Sequence, residues 1–121
     1  MTSKNYDLEE RLIAFAIMIL DLCESIPNSY AGNHLGNQLL RSGTSPALNY
    51  GEVQASESRK DFVHKMKICL KELRESYVCL KILKRRFENN QVEFQPALKE
   101  SNELIAIFVT SIKTAQSRIK K

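Results

Sequence analysis

Tryptophan is absent from this chain of 121 residues, and histidine occurs twice, at His34 and His64. Neither histidine stands in a His-Glu-x-x-His or Glu-x-x-His arrangement. The zinc-hydrolase signature and the ligand set of a di-iron bundle are therefore missing, and no metal or cofactor is expected. Three cysteines, Cys23, Cys69 and Cys79, are an odd number without metal-like spacing, which predicts reduced, buried thiols in a cytoplasm. No Gly-rich phosphate cradle is present, nor a Cys/His or Ser/His pair at a useful spacing, so the sequence offers no catalytic residues and predicts no enzyme. Long hydrophobic runs are lacking too. The longest, Leu12 to Leu20 between Arg11 and Asp21, is too short to span a bilayer. The first ten residues hold Asp7, Glu9 and Glu10 with no small-residue cleavage site after them, which predicts no secretory leader.

The composition, 43% hydrophobic and 26% charged, is that of a globular protein, and the length suits a single domain with a real core. The formal net charge is +4, unevenly spread. Asp7, Glu9, Glu10, Asp21 and Glu24 face Arg11 alone in the first stretch, whereas Arg59 to Arg86 carries many bases against Asp61, Glu72 and Glu75.

Apolar residues recur three and four apart along most of the chain, with no strand-like alternation of useful length. The spacing predicts helices over about 7–26, 30–55, 59–87 and 96–119. Asp7 is expected to cap the first, which carries the stripe Leu8, Leu12, Phe15, Ile19, Leu22 and Ile26 and ends at Pro27. A second stripe, Ile13, Ala16, Ile17 and Leu20, predicts burial on two sides, against the bundle and against another subunit. Asn28 or Ser29 caps the second helix and Ser58, with Asp61 behind it, the third. Pro96 falls where a first helical turn tolerates proline. Four helices with short connections predict an all-α, antiparallel up-and-down four-helix bundle.

One stretch breaks the pattern. Gly43, Pro46 and Gly51 interrupt a segment rich in polar groups, Arg41, Ser42, Thr44, Ser45, Asn49 and Glu52. If it is helical, a kink is expected near Pro46, with the hydroxyls of Ser42, Thr44 and Ser45 meeting freed backbone groups. Arg41, Ser45 and Glu52 then fall within roughly 40° of one another and, with Asn49, make a polar seam enclosed by neighbouring helices. The alternative is a loop between two shorter helices. Glu72 and Glu75, three apart on the third helix, pair with Arg41 and Arg74 or form a carboxylate cluster with Glu52.

Opposite the third helix's core stripe (Phe62, Met66, Cys69, Leu73, Tyr77, Leu80 and Phe87) run Lys60, His64, Lys67, Lys71, Arg74, Lys81 and Arg85, interrupted by Val78. This basic ridge is about 38 Å long. It reads either as a solvated helix face or as a phosphate-binding surface in which Lys60, Lys67, Lys71, Arg74, Lys81 and Arg85 hold the strand.

The residues Arg41-Ser-Gly-Thr-Ser45, Asn49, Glu52, Ser58-x-x-Asp61-Phe62 and Leu70-Lys-Glu72-Leu-Arg-Glu75-Ser76 resemble the four-helix-bundle proteins encoded in intervening sequences of bacterial 23S rRNA genes. The resemblance covers about residues 5 to 118. Where many members have a small-polar-Ile-Ala-Asn-Ile-Ala-Glu run, this chain reads Ser45-Pro-Ala-Leu-Asn-Tyr-Gly-Glu52, so Tyr50 and Gly51 depart from the pattern. The resemblance implies an antiparallel bundle, commonly a ring of five subunits, with no enzymatic activity assigned. More distantly the chain is similar to the accessory subunits of diversity-generating retroelements, basic pentamers that work with a reverse transcriptase and nucleic acid. RNA or DNA is thus the expected partner, and the alternative is a scaffold that docks an acidic protein; no membrane partner is expected.

Overall fold

The computed structural model describes residues 4–119, with side chains from residue 8 onward. Four helices, α1 (Lys4–Ser25), α2 (Tyr30–Gln54), α3 (Arg59–Arg86) and α4 (Gln95–Ile119), are joined by short connections, the last with a 3-10 turn at Glu88–Asn90. They form an all-α four-helix bundle, with no strand among the described residues. Pairings between neighbours run in opposite order along the chain. On α2 and α3, the Cys79 thiol meets the Leu35 carbonyl while Arg41 meets Glu72 and Glu75. Short loops between long helices leave little other choice.

Side-chain caps set the starts of α2 and α3. The Ser29 hydroxyl accepts from the Gly32 N–H at 3.0 Å and the Ser58 hydroxyl from the Asp61 N–H at 3.0 Å, each closing the first turn of its helix. The expected cap at Asp7 is not there, because α1 is already helical from Lys4 and Asp7 lies inside it.

The predicted stripes of α1 and α3 make much of the core, although Ile26, Phe62 and Tyr77 are only half-buried, and α2 and α4 complete it. Leu12, Phe15 and Ile19 of α1, Leu39 and Val53 of α2, Met66, Cys69, Leu73 and Leu80 of α3, and Leu104 and Phe108 of α4 are all essentially inaccessible. Tyr50, a departure from the family pattern, is buried too, with its ring edge-on to Phe108 at 6.4 Å between centroids. On α1 the first stripe is inside, whereas Ile13, Ile17 and Leu20 of the second are exposed.

The Gly/Pro segment is helical throughout, with Pro46 buried inside α2. Small residues make that possible where α2 lies closest to its neighbours. A Cβ on Gly43 would stand 2.8 Å from Cγ1 of the fully buried Ile19, so only glycine lets α1 approach there. The hydroxyls do something different from what the sequence suggests. Proline at 46 frees the Ser42 carbonyl, yet Thr44 donates to the Leu40 carbonyl at 2.7 Å and Ser42 lies 3.5 Å from the Leu39 carbonyl. Both of those carbonyls belong to the ordinary ladder, since the residues four positions on, Gly43 and Thr44, keep their N–H groups.

Ser42 instead faces α3. Its hydroxyl lies 2.9 Å from that of Ser76, which is also 2.9 Å from the Glu72 carbonyl, and both serines are fully buried. Removing one partner strands a buried polar group, so Ser76→Ala is expected to cost about 1–3 kcal/mol. The double change Ser42→Ala with Ser76→Ala should cost less than the sum of the single ones, which a denaturant double-mutant cycle measures.

All three thiols are pushed up to about 11 from an ordinary 9.0, by burial in each case. Between pH 9 and 11 the folded chain therefore keeps protons that the unfolded chain releases. Stability from this source is whole below the ordinary thiol value and is lost as pH rises toward 11. Urea midpoints should fall across that window, and fall less in a Cys69→Ser variant after its own neutral-pH loss is subtracted.

Candidate nucleic-acid interface

Charge on α3 is sorted by helical phase. Of its three acids, Asp61 is held by Lys65 on the next turn at 3.0 Å, and Glu72 and Glu75 are both held by Arg41 reaching across from α2. The Lys65 hydrogen bond keeps the Asp61 carboxyl below its usual range, helped by the Glu57 N–H. Lys65 and Arg41 lie off the ridge. The acids of α3 are therefore neutralised from its flanks, and the ridge keeps its full positive charge.

Lys60, Lys67, Lys71, Arg74, Lys81 and Arg85 are all exposed, as are His64 and Val78. None of those six cations makes an ion pair among the described residues. The exposed Val78 divides the ridge into a cluster from Lys60 to Arg74 and another at Lys81 and Arg85, and Ile68 and Ile82 of the same helix are exposed as well.

Each cluster is completed by α4, which the α3 pattern alone does not disclose. At the N-terminal end of α3, Lys60, His64 and Lys67 share a groove of about 680 Å³ with Lys113, Gln116 and Ser117 over an apolar floor. At the other end, Lys81, Lys84 and Arg85 share one of about 430 Å³ with Tyr77, Lys99 and Asn102. The Lys81 ammonium stands 4.8 Å above the Tyr77 ring, so an aromatic face and a cation occupy one site. No carboxylate lines either groove. Lys67 and Lys81 are 14 steps apart on α3, which separates the two clusters by about 21 Å.

The polar seam of α2 is not enclosed as expected and falls into three parts, because Arg41 and Glu52 reach solvent while Asn49 is half-buried. Arg41, with 54% of its side chain exposed, bridges to Glu72, which is 14% exposed, and to Glu75. Asn49 is half-buried and donates to the Ser45 hydroxyl at 2.9 Å on the preceding turn. Glu52 is exposed and makes no ion pair among the described residues, and Leu48 beside it is 80% exposed. Arg74 belongs to the ridge and does not pair with Glu72 or Glu75. Glu72 and Glu75 thus tie α3 to α2 through Arg41, and Glu52 does not join them in a carboxylate cluster. Arg11 plays the same part between α1 and α4, bonding Glu100 at 2.8 Å and Glu103 at 3.0 Å.

Among the described residues no group of three His, Cys, Asp or Glu side chains converges as metal ligands, and no helix is long and apolar enough to cross a membrane.

The profile of the 23S rRNA-intervening sequence protein family matches residues 4–110. A solved structure of a protein of unknown function from the S23 ribosomal protein family, from Bacteroides thetaiotaomicron VPI-5482, is similar in fold and sequence. It has a TM-score of 0.78 and 29% identity, over 88% of this chain and 98% of that one. No curated protein matches.

Proposed function

The chain belongs to the 23S rRNA-intervening sequence protein family, and from that footing we propose that it is a non-enzymatic bundle that binds RNA or DNA through the basic face of α3 and α4. One observation carries this reading: the acids of α3 are taken up by Arg41 and Lys65, while the exposed cations of the ridge have no partner among the described residues. An uncompensated stripe of that length attracts a polyanion, and phosphate contacts hold a strand without reading its bases. Tyr77 beneath Lys81 adds an aromatic ring beside the cations of the second cluster. The three free thiols support a reducing compartment, the cytoplasm.

The test is direct. Four tyrosines and no tryptophan give the protein weak ultraviolet absorbance, so nucleic acid carried through purification at low salt should dominate the spectrum and leave in a high-salt wash. Purified protein that ignores short RNA and DNA at low salt overturns the reading.

A second reading, self-association, is supported by the exposed Ile13, Ile17 and Leu20 on one side of α1, an apolar strip that water penalises. The family resemblance implies a ring of five, which would multiply the charge offered to a polyanion. Light scattering is expected to give a particle mass several times that of the 13.9 kDa chain; a monomer at micromolar concentration removes this reading and leaves the basic face intact. A scaffold that docks an acidic protein would use the same cations, and competition between nucleic acid and a polyglutamate peptide separates the two.

A further inference from the structure

We propose that a third groove, away from the ridge and between α2, α3 and α4, binds a phosphomonoester: the terminal phosphate of a nucleic-acid strand or that of a free nucleotide. As a strand-end site it rests on the nucleic-acid reading above; as a nucleotide site it stands without it.

The groove is about 940 Å³, larger than either groove of the basic face. Its cations come from two helices. Arg59 projects from the first turn of α3 and Arg118 from the last turn of α4, and both line the same space. No acidic residue lines it, and neither arginine has an ion-pair partner among the described residues. Two guanidinium groups lining one cleft that holds no carboxylate offer an anion two charged donors.

The charge and donors select the anion. A phosphomonoester carries about −1.5 to −2 near neutral pH, with three acceptor oxygens, whereas a phosphodiester within a strand carries one charge. Guanidinium forks suit the former, each able to give two parallel hydrogen bonds. Hydroxyls supplement them. Ser58 accepts from the Asp61 N–H and so keeps its own proton to donate, and Thr114 lines the opposite wall on α4. In the first turn of α3 the Asp61 N–H is taken by Ser58, which leaves those of Arg59 and Lys60 beside it without a helical acceptor. Behind this polar mouth Tyr50 and Phe62 supply an aromatic wall, buried and half-buried respectively, against which a sugar or base can rest.

The experiment uses the full chain and measures fluorescence anisotropy of one short RNA ending in a 5′-phosphate, a 3′-phosphate or hydroxyls alone, with AMP followed separately by calorimetry. One phosphorylated form should bind about tenfold tighter than the hydroxyl form. The double variant Arg59→Ala with Arg118→Ala, both exposed positions, should erase that difference and keep the remaining affinity. Lys67→Glu with Lys71→Glu should weaken all three strands and spare AMP. AMP binding that the arginine variant loses, with no strand preference, assigns the site to free nucleotides. Equal binding of all three strands together with no AMP binding overturns the proposal, whether or not the ridge variant changes strand affinity.

Discussion

Reversing Lys67, Lys71 and Arg74 to glutamate is expected to lower affinity for RNA or DNA by about a thousandfold or more, with the fold unchanged by circular dichroism. The three side chains are neighbours at spacings of four and three on one exposed face, and none supports the core. Each charged hydrogen bond to phosphate is worth about 1.5–3 kcal/mol, so three together exceed three decades before repulsion is added. The salt dependence should become shallower as well, by about 0.9 in log–log slope for each phosphate that the variant no longer neutralises. Lys65 is the internal control. It lies on the same helix but is committed to Asp61, so Lys65→Ala should change affinity little. A triple variant that binds within threefold of the parent would mean that the ridge is merely hydrated surface.

The largest loss of stability is expected at Phe108. This side chain is fully buried and its ring meets Tyr50 at an interplanar angle of 65°, joining α4 to α2 across the bundle. Phe108→Ala removes the transfer energy of the ring and leaves a cavity that long helices cannot close by small shifts, a cost of about 3–5 kcal/mol. For a domain of this size that lowers the melting temperature by on the order of 10–25 °C. Tyr50→Ala should be severe for the same reason. The edge-to-face pair should show a coupling of about 0.5–1.5 kcal/mol in the double variant. Additive losses would mean that the two rings are packed independently.

Periodicity made the helices readable because each buries one stripe, and stripes are local in sequence. The passage of α2 through Gly43, Pro46 and Gly51 was harder: local signals leave a loop open as the alternative, and the choice is made by close approach, with Ile19 of α1 filling the space that a side chain at 43 would need. Partners across helices were legible in part: Arg41 pairs with Glu72 and Glu75, whereas Arg74, the other expected partner, makes no ion pair among the described residues. Glu52 shows the limit of that reasoning. A helical wheel puts it in phase with Arg41, yet a wheel does not say where the neighbouring helix ends, and Glu52 lies in the last turn of α2, facing solvent. The additions from α4, Lys99 and Lys113, were out of reach for a related reason. They join the ridge through the register between two helices, which no single periodicity encodes. Tyr50, seen in sequence as a departure from the family pattern, turned out to be the residue that receives Phe108.

Affinity for short nucleic acids of unrelated sequence, measured across a range of salt concentrations, tests the uncompensated charge of the α3–α4 face most directly. About six phosphate contacts correspond to a log–log slope near −5 on duplex DNA, the same for every sequence. A slope near zero, or no binding in dilute buffer, would contradict it.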